Sequence, residues 1–356
     1  MRALFVTRKF PPSVGGMETW SKEFHAACVA SGADVDLLKP ASDHIGRPSL
    51  AQMAAFFASA SWALVRHGRR YEAVLLGDFA LATLAIVAKL ATFGRIRTVV
   101  QLHGNDLYFM RQRGLVPTLY RALCAFVVGT RAIDATVANS RAIRDEAAMR
   151  GLPASVVVPL ATHAPADDAL VQQPRAMRLV FAGRLIRYKG LSWFVRTVWP
   201  KLDPTFELVV AGGVWDAEER ACLEGDARIR YVGALDPAAL QALRATAIAC
   251  IMPNVRPQAN EQDEGFGLAA LESPAVGTPI LASACGGLPD AVTDGVTGFL
   301  LPPGDADAWV ACLHRVARWT AGERIAFGTR ARAHILEHAT WDRVARDTLA
   351  VLAARA

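Results

Sequence analysis

Residues 162–177 read THAPADDALVQQPRAM, and RLVFAG (178–183) follows at once. The first stretch is polar, holds two prolines and shows neither strand alternation nor a helical period. The second is an apolar run closed by glycine, which is a strand signature. A chain of 356 residues that lapses and restarts in mid-course reads as two domains. Upstream, ALFVT (Ala3 to Thr7), DVDLL, AVLLG, RTVVQL, ATVAN and SVVVP are strand candidates separated by helical stretches. Downstream, RLVFAG, FELVVAGG, RIRYVG, ACIMP, PILAS and GFLLP repeat the rhythm. Alternating strand and helix is the pattern of a parallel sheet, so the class is α/β. The expected division is residues 1–165, 166–338 and a terminal amphipathic helix at 339–356.

Composition narrows the partners. The apolar fraction is 53%, much of it alanine, and mean hydropathy is +0.23. The most apolar segment, LATLAIVAKLATF (81–93), is broken by Lys89 and is shorter than the ~20 residues of a membrane span. MRALFVTRKF reads as a first strand rather than a signal peptide. The six cysteines lack CxxC spacing and fit buried thiols in a reducing cytoplasm. The first 170 residues carry 19 Lys and Arg against 13 Asp and Glu, and hold the whole excess of +6. That asymmetry suits either an anionic partner, which is a membrane surface, nucleic acid or a phosphorylated acceptor, or ordinary surface arginine in an Arg-rich chain. No nucleic-acid signature accompanies it. SLAQMAAFFASASWALVRHGRRY (49–71) is apolar and then basic, as a membrane-surface helix or a core helix ending in exposed arginines would be.

Ligands of open α/β sheets bind beyond the carboxyl ends of the strands. Three features fall there. Gly15 and Gly16, between the first strand and its helix, allow either close approach to a phosphate or a plain tight turn. In GRLIRYKG (183–190), Arg184 and Lys189 leave a strand end beside two glycines. They form a solvated basic loop or a pair of cations for a diphosphate. In EGFGLAALE (264–272), Gly265 and Gly267 precede a helix start. A step of about 100° per residue places Glu272 on the apolar arc of Leu268, Leu271 and Ala275, where a carboxylate needs a partner. Glu264 and Glu272 would repel a diphosphate, but as pure acceptors they suit sugar or ribose hydroxyls. The combination describes a nucleotide-sugar site. His103, in QLHGND just past a strand end, is either a structural donor or a functional group. His334 and His338 stand at i, i+4, with a metal pair and a plain helix surface as the two readings.

AGRLIRYKG, EGFGLAALE, GTPILAS, GGLPDAV and DGVTGFLLPPGD, in this order, resemble retaining glycosyltransferases of family four. FPPSVGGMETW, QLHGND and VANSRAI match that family's less distinctive N-terminal landmarks, and MPNVRPQANEQD its long loop. The resemblance implies a GT-B fold, two Rossmann-like domains facing a cleft, with the terminal helix crossing back to the first. It implies that Arg184 and Lys189 bind the donor diphosphate and that Glu264 holds sugar hydroxyls. Backbone N–H groups from Gly265 and Phe266 to Gly267 and Leu268 assist, and Glu272 accepts from the ribose. Gly16 touches the phosphate, with Gly15 beside it, and His103 contacts the sugar near the reacting carbon. No metal or other cofactor is implied. FPPSVGG and the long loop are locally similar to bacterial phosphatidylinositol-type mannosyltransferases, which points to GDP-mannose ahead of UDP-hexoses. The expected acceptor is a glycan or lipid-linked glycan of envelope or polysaccharide synthesis, with a small molecule as the alternative. The expected location is cytoplasmic, with peripheral contact at an anionic membrane left open. LATH stands where the family usually continues Asn-Gly-Val-Asp, and Pro274 predicts a short or kinked helix. Two rivals share the fold: a nucleotide-sugar epimerase or hydrolase, and an inactive nucleotide-binding partner subunit.

Overall fold

The computed structural model describes residues 1–13, 15–40, 49–257 and 261–354. Val14 of the glycine loop and residues 258–260 of MPNVRPQANEQD lie outside them. The chain divides into two compact units. The first holds Met1–Leu160, Ala259–Gly265 and Trp341–Ala356, and the second Ala161–Gln258 and Phe266–Thr340.

Unit 1 runs β1 (Ala3–Val6), α1 (Gly16–Ala30), β2 (Val35–Leu38), α2 (Leu50–His67), β3 (Ala73–Leu76) and α3 (Thr83–Thr92). It continues with β4 (Arg97–Leu102), α4 (Asn105–Tyr108), α5 (Leu115–Gly129), β5 (Ala135–Ala138), α6 (Arg141–Met149) and β6 (Ser155–Val157). All pairings are parallel, in the order β2-β1-β3-β4-β5-β6. Strands covered on both faces read as continuous apolar runs, and β1, β3 and β5 are buried throughout. Alternate side chains serve the two faces. Leu4 and Val6 join Phe56 and Leu64 of α2, Leu84 and Ala88 of α3 and Val127 of α5 in one core. Phe5, from the opposite face, meets Trp20 and Phe24 of α1 edge-on at 5.5 and 5.3 Å. The terminal helix Trp341–Ala353 packs on α1 and on β3, β4 and β5, and Arg97 Nε donates to the Val351 carbonyl at 2.9 Å.

Unit 2 has strands β7 (Ala176–Ala182), β8 (Glu207–Ala211), β9 (Ile229–Gly233), β10 (Ala247–Met252), β11 (Ile280–Ser283) and β12 (Gly298–Leu301). Their order is β12-β11-β10-β7-β8-β9, again all parallel. Phe181, Phe194, Trp199, Phe206 and Trp309 are the large side chains of its core. No described helix is long and apolar enough to cross a membrane.

The chain changes unit near Leu160, close to the polar stretch. The segment up to Gly265 counts with unit 1 rather than with the expected 166–338 body. Its backbone is tied there: Ser140 Oγ donates to the Gly265 carbonyl at 2.7 Å, and a Cβ on Gly265 would lie 2.4 Å from the His103 carbonyl oxygen.

Candidate functional site

In unit 2, GRLIRYKG leaves the carboxyl end of β7 and is held by its neighbours' backbones. Leu185 N–H donates to Gly213 at 2.9 Å, and Val255 N–H donates to Tyr188 at 3.1 Å. The loop fits only because of glycine. Gly190 has φ +70°, and a Cβ there would lie 2.0 Å from the Pro253 carbonyl oxygen. At Gly212, with φ +145°, a Cβ would lie 1.8 Å from the Gly183 oxygen. Loops after β7, β8 and β10 therefore touch backbone to backbone, with Leu185 and Tyr188 buried and Arg184 and Arg187 exposed. Arg184 is exposed, its guanidinium 4.9 Å above the Trp215 ring and 3.3 Å from the Tyr188 hydroxyl. Lys189 Nζ lies 5.8 Å over the Tyr188 ring, and a Cβ at Gly183 would be 3.9 Å from it. A guanidinium resting on an aromatic face keeps its hydrogen-bonding edge for a planar anion. Trp215, in the loop after β8, and Tyr188, inside GRLIRYKG, were not legible as partners, because a lone aromatic carries no motif.

Gly267, at φ +92°, leads into the seven-residue helix Ala269–Ala275, shortened as Pro274 predicts. Residues 270–277 are buried on every side except at Glu272, whose side chain is 37% exposed. The helical wheel therefore misplaces Glu272. The partly open stripe is Leu268, Ala269 and Glu272, because neighbours enclose the rest. Glu272 does have a cationic partner, the buried Arg244 of helix Pro237–Ala245. The Arg244 carbonyl accepts from Thr278 Oγ1 at 2.8 Å, so the cation is fixed from its own backbone. The demand for a partner was legible in the sequence. Its identity was not, since Arg244 lies 28 residues away.

Unit 1 assembles a second group at the carboxyl ends of β1, β3 and β4. His103 is buried, its ring 4.9 Å from Trp20 and its Nε2 3.0 Å from the Gly77 carbonyl. A carbonyl only accepts, so Nε2 carries the proton and Nδ1 is the acceptor in the neutral ring. Burial pushes the His103 pKa down, against the pull of Asp106, Asp78 and Glu18. Asp106 accepts from the N–H groups of Phe79, His103 and Leu107, each at 3.2 Å, while burial pushes its pKa up. Asp78 pairs with Arg8 at 2.8 Å. Glu264 is buried in the same unit, next to the Gly265 backbone that rests on His103. Burial likewise raises the neighbouring Asp263. Gly15 has a structural duty: a Cβ there would lie 2.5 Å from the Glu18 carboxylate, which pairs with Lys9 at 3.1 Å. The structure thus joins His103 with Glu264 in unit 1, and Arg184 with Lys189 in unit 2. His334 bonds Thr293 at 3.0 Å, and no group of three His, Cys, Asp or Glu among the described residues is placed to hold a metal.

Two family models match the chain. "Glycosyltransferase Family 4" covers residues 14–162, and "Glycosyl transferases group 1" covers 176–318. The chain belongs to the glycosyltransferases. Among its curated relatives, the D-inositol 3-phosphate glycosyltransferase of Kribbella flavida is 32% identical over 217 residues, 54% of this chain and 48% of that protein. The enzyme of that name from Stackebrandtia nassauensis is 37% identical over 201 residues, 51% and 41% of the two chains. This glycosyltransferase chain thus spans about half the length of those relatives or less. Among solved structures, Anabaena HepE in complex with UDP and glucose aligns over 100% of both chains, with a TM-score of 0.69 at 16% identity. The catalytic domain of starch synthase IV from Arabidopsis thaliana, bound to ADP and acarbose, aligns over 99% and 98% with a TM-score of 0.75 at 12% identity. At those identities the likeness concerns the fold, which is GT-B.

Proposed function

We propose that this glycosyltransferase is a retaining enzyme that needs no metal ion and moves a hexose from a nucleotide diphosphate sugar to a glycan or lipid-linked acceptor. The donor class rests on one observation: two cations, Arg184 and Lys189, share a glycine-bounded loop at a strand's carboxyl end. As the bond from the anomeric carbon to the diphosphate oxygen breaks, charge collects on the leaving group. Fixed cations stabilise it there more than in the ground state. The acceptor oxygen bonds to the same face of the anomeric carbon, and a leaving-group phosphate oxygen takes its proton. Glu264 accepts from sugar hydroxyls, and the Nδ1 lone pair of neutral His103 suits another. Glu272, held by Arg244, keeps acceptor capacity for ribose hydroxyls.

Mannose from GDP-mannose is the donor we place first, on the sequence of FPPSVGG and the loop before Glu264. A phosphorylated cyclitol is a second acceptor class, favoured by the basic excess of the first 170 residues and by the relatives' names. Calorimetric titration with GDP, UDP and ADP in the absence of metal tests the donor. We expect micromolar binding of one nucleotide. No binding of any, by folded protein, overturns the reading. With the matching nucleotide sugar, release of nucleotide should require an acceptor; release without one would indicate a hydrolase or epimerase.

A further inference from the structure

Nine of the sixteen exposed large apolar side chains among the described residues lie on α5, α2 and the α3 end. Leu115, Val116, Leu119, Leu123 and Phe126 form one stripe on α5, with Leu115 73% and Phe126 61% exposed. Trp62 and Val65 stand on α2, Leu90 on α3, and Phe93 just after it. These helices send their other faces into a single core over β1, β3 and β4, so they form one layer and turn these side chains outward. Scattered exposed leucines are ordinary, but a continuous set on adjacent helices marks an interaction surface.

Charge indicates the occupant. None of the three helices contains an Asp or Glu. Helices that follow parallel strands run antiparallel to them, so α2, α3 and α5 all end at the amino edge of the sheet. Exposed arginines collect there: Arg66, Arg69 and Arg70 after Trp62, Arg95 after Phe93, and Arg131 after Phe126. The same edge holds a pocket of about 710 Å³ lined by Arg69, Lys89, Arg95 and Arg97 together with Glu72 and Asp134. Both acids are engaged, Asp134 with Lys89 at 2.6 Å and Glu72 with the terminal amine at 3.7 Å. Arg113 marks the opposite end of α5.

We propose that the outer face of the α2–α3–α5 layer docks on an anionic lipid bilayer, with the apolar stripe entering the interface and the arginine edge meeting headgroup phosphates. Apolar side chains on helices without carboxylates, bounded by arginines, match the hydrocarbon and phosphate levels of such a surface. A second copy fits less well, because in a two-fold contact the face meets itself, and its three helices offer the arginines no carboxylate. The inference is independent of the donor assignment.

The test is cosedimentation of the whole chain with vesicles of phosphatidylcholine alone or mixed with phosphatidylglycerol, alongside sedimentation velocity without lipid. The wild type should partition onto the mixed vesicles, less so as salt rises, and stay off the neutral ones. Leu119→Glu with Phe126→Glu should cut partitioning by at least about tenfold, given the apolar area withdrawn. Arg66→Gln with Arg69→Gln should weaken binding to mixed vesicles and lessen its salt dependence. All four positions are exposed, so melting temperatures should hold; Trp62→Ser with Phe93→Ser provides a second apolar pair. Equal partitioning of wild type and variants, or none by the wild type, overturns the proposal. A wild-type dimer that Leu119→Glu with Phe126→Glu converts to monomer would assign the face to a second copy instead.

Discussion

Arg184 lies over Trp215, while Lys189 stands over Tyr188 on a backbone fixed by Gly190. One offers a planar fork and the other a compact charge, so each should contribute separately to a diphosphate. Replacing either by Ala should cost roughly 1.5–3 kcal/mol of nucleotide affinity, the range of a charge-assisted hydrogen bond. Calorimetry on the two variants measures this, and unchanged affinity in both would remove the diphosphate from the loop. His103 supports a prediction in pH. Burial holds its folded pKa below the ordinary value of about 6.5. Under that value the unfolded chain binds a proton that the buried ring refuses, so stability falls as pH drops and is unaffected above it. Thermal melting from about pH 7 to about pH 5.5 should therefore fall less steeply in His103→Gln than in the wild type. Parallel slopes would mean that the buried ring takes up its proton as readily as in the unfolded chain. Residue types and spacing made these groups visible as candidates. Arg244 was not visible as a partner, because its pairing with Glu272 depends on tertiary packing.

At the scale of elements, all twelve strands were legible: central ones such as β1, β3 and β5 because a strand covered on both faces is apolar along its length, and the part-exposed edge strands β2, β6 and β9 as short apolar or β-branched runs. The loops were only half legible. Glycine announced close approach in GRLIRYKG, but which backbone approached could not be read without the fold. Two glycines separate the contributions. Gly190 and Gly225 both have positive φ, at +70° and +91°. A Cβ at Gly225 meets nothing within 4 Å, whereas at Gly190 it meets the Pro253 carbonyl at 2.0 Å. Gly225→Ala should cost about 1–2 kcal/mol from backbone conformation alone. Gly190→Ala should cost more, since the loop must move, and should also weaken nucleotide binding by displacing Lys189. Denaturant melts with nucleotide titration on both variants distinguish the cases. Equal losses of stability with unchanged affinity would show that the approach to Pro253 does not position the loop.

At the scale of the molecule, chain order and structural unit part company. Unit 1 draws on three separate segments, and its last is the terminal helix, which buries Trp341, Val344, Val351 and Leu352 on the first sheet. The amphipathic pattern of that helix was plain in the sequence, but the unit receiving it was named only through resemblance, because periodicity identifies a buried face and not its partner. The stretch ending at Gly265 was harder still, since its membership rests on the Ser140 hydroxyl and the His103 backbone. This arrangement predicts that a lesion at the C-terminus is felt at the N-terminus. Val344 is 1% exposed, and Val344→Asp would bury a carboxylate with no arranged partner, at a cost of several kcal/mol. Hydrogen exchange should then show faster opening in α1 and in β3 to β5. Strands β7 to β12 should keep their protection, because the unit 2 core contains no residue beyond Thr340. Uniform loss across both sheets would mean that the chain unfolds as one cooperative body, and the division into two units would then describe geometry without energetics.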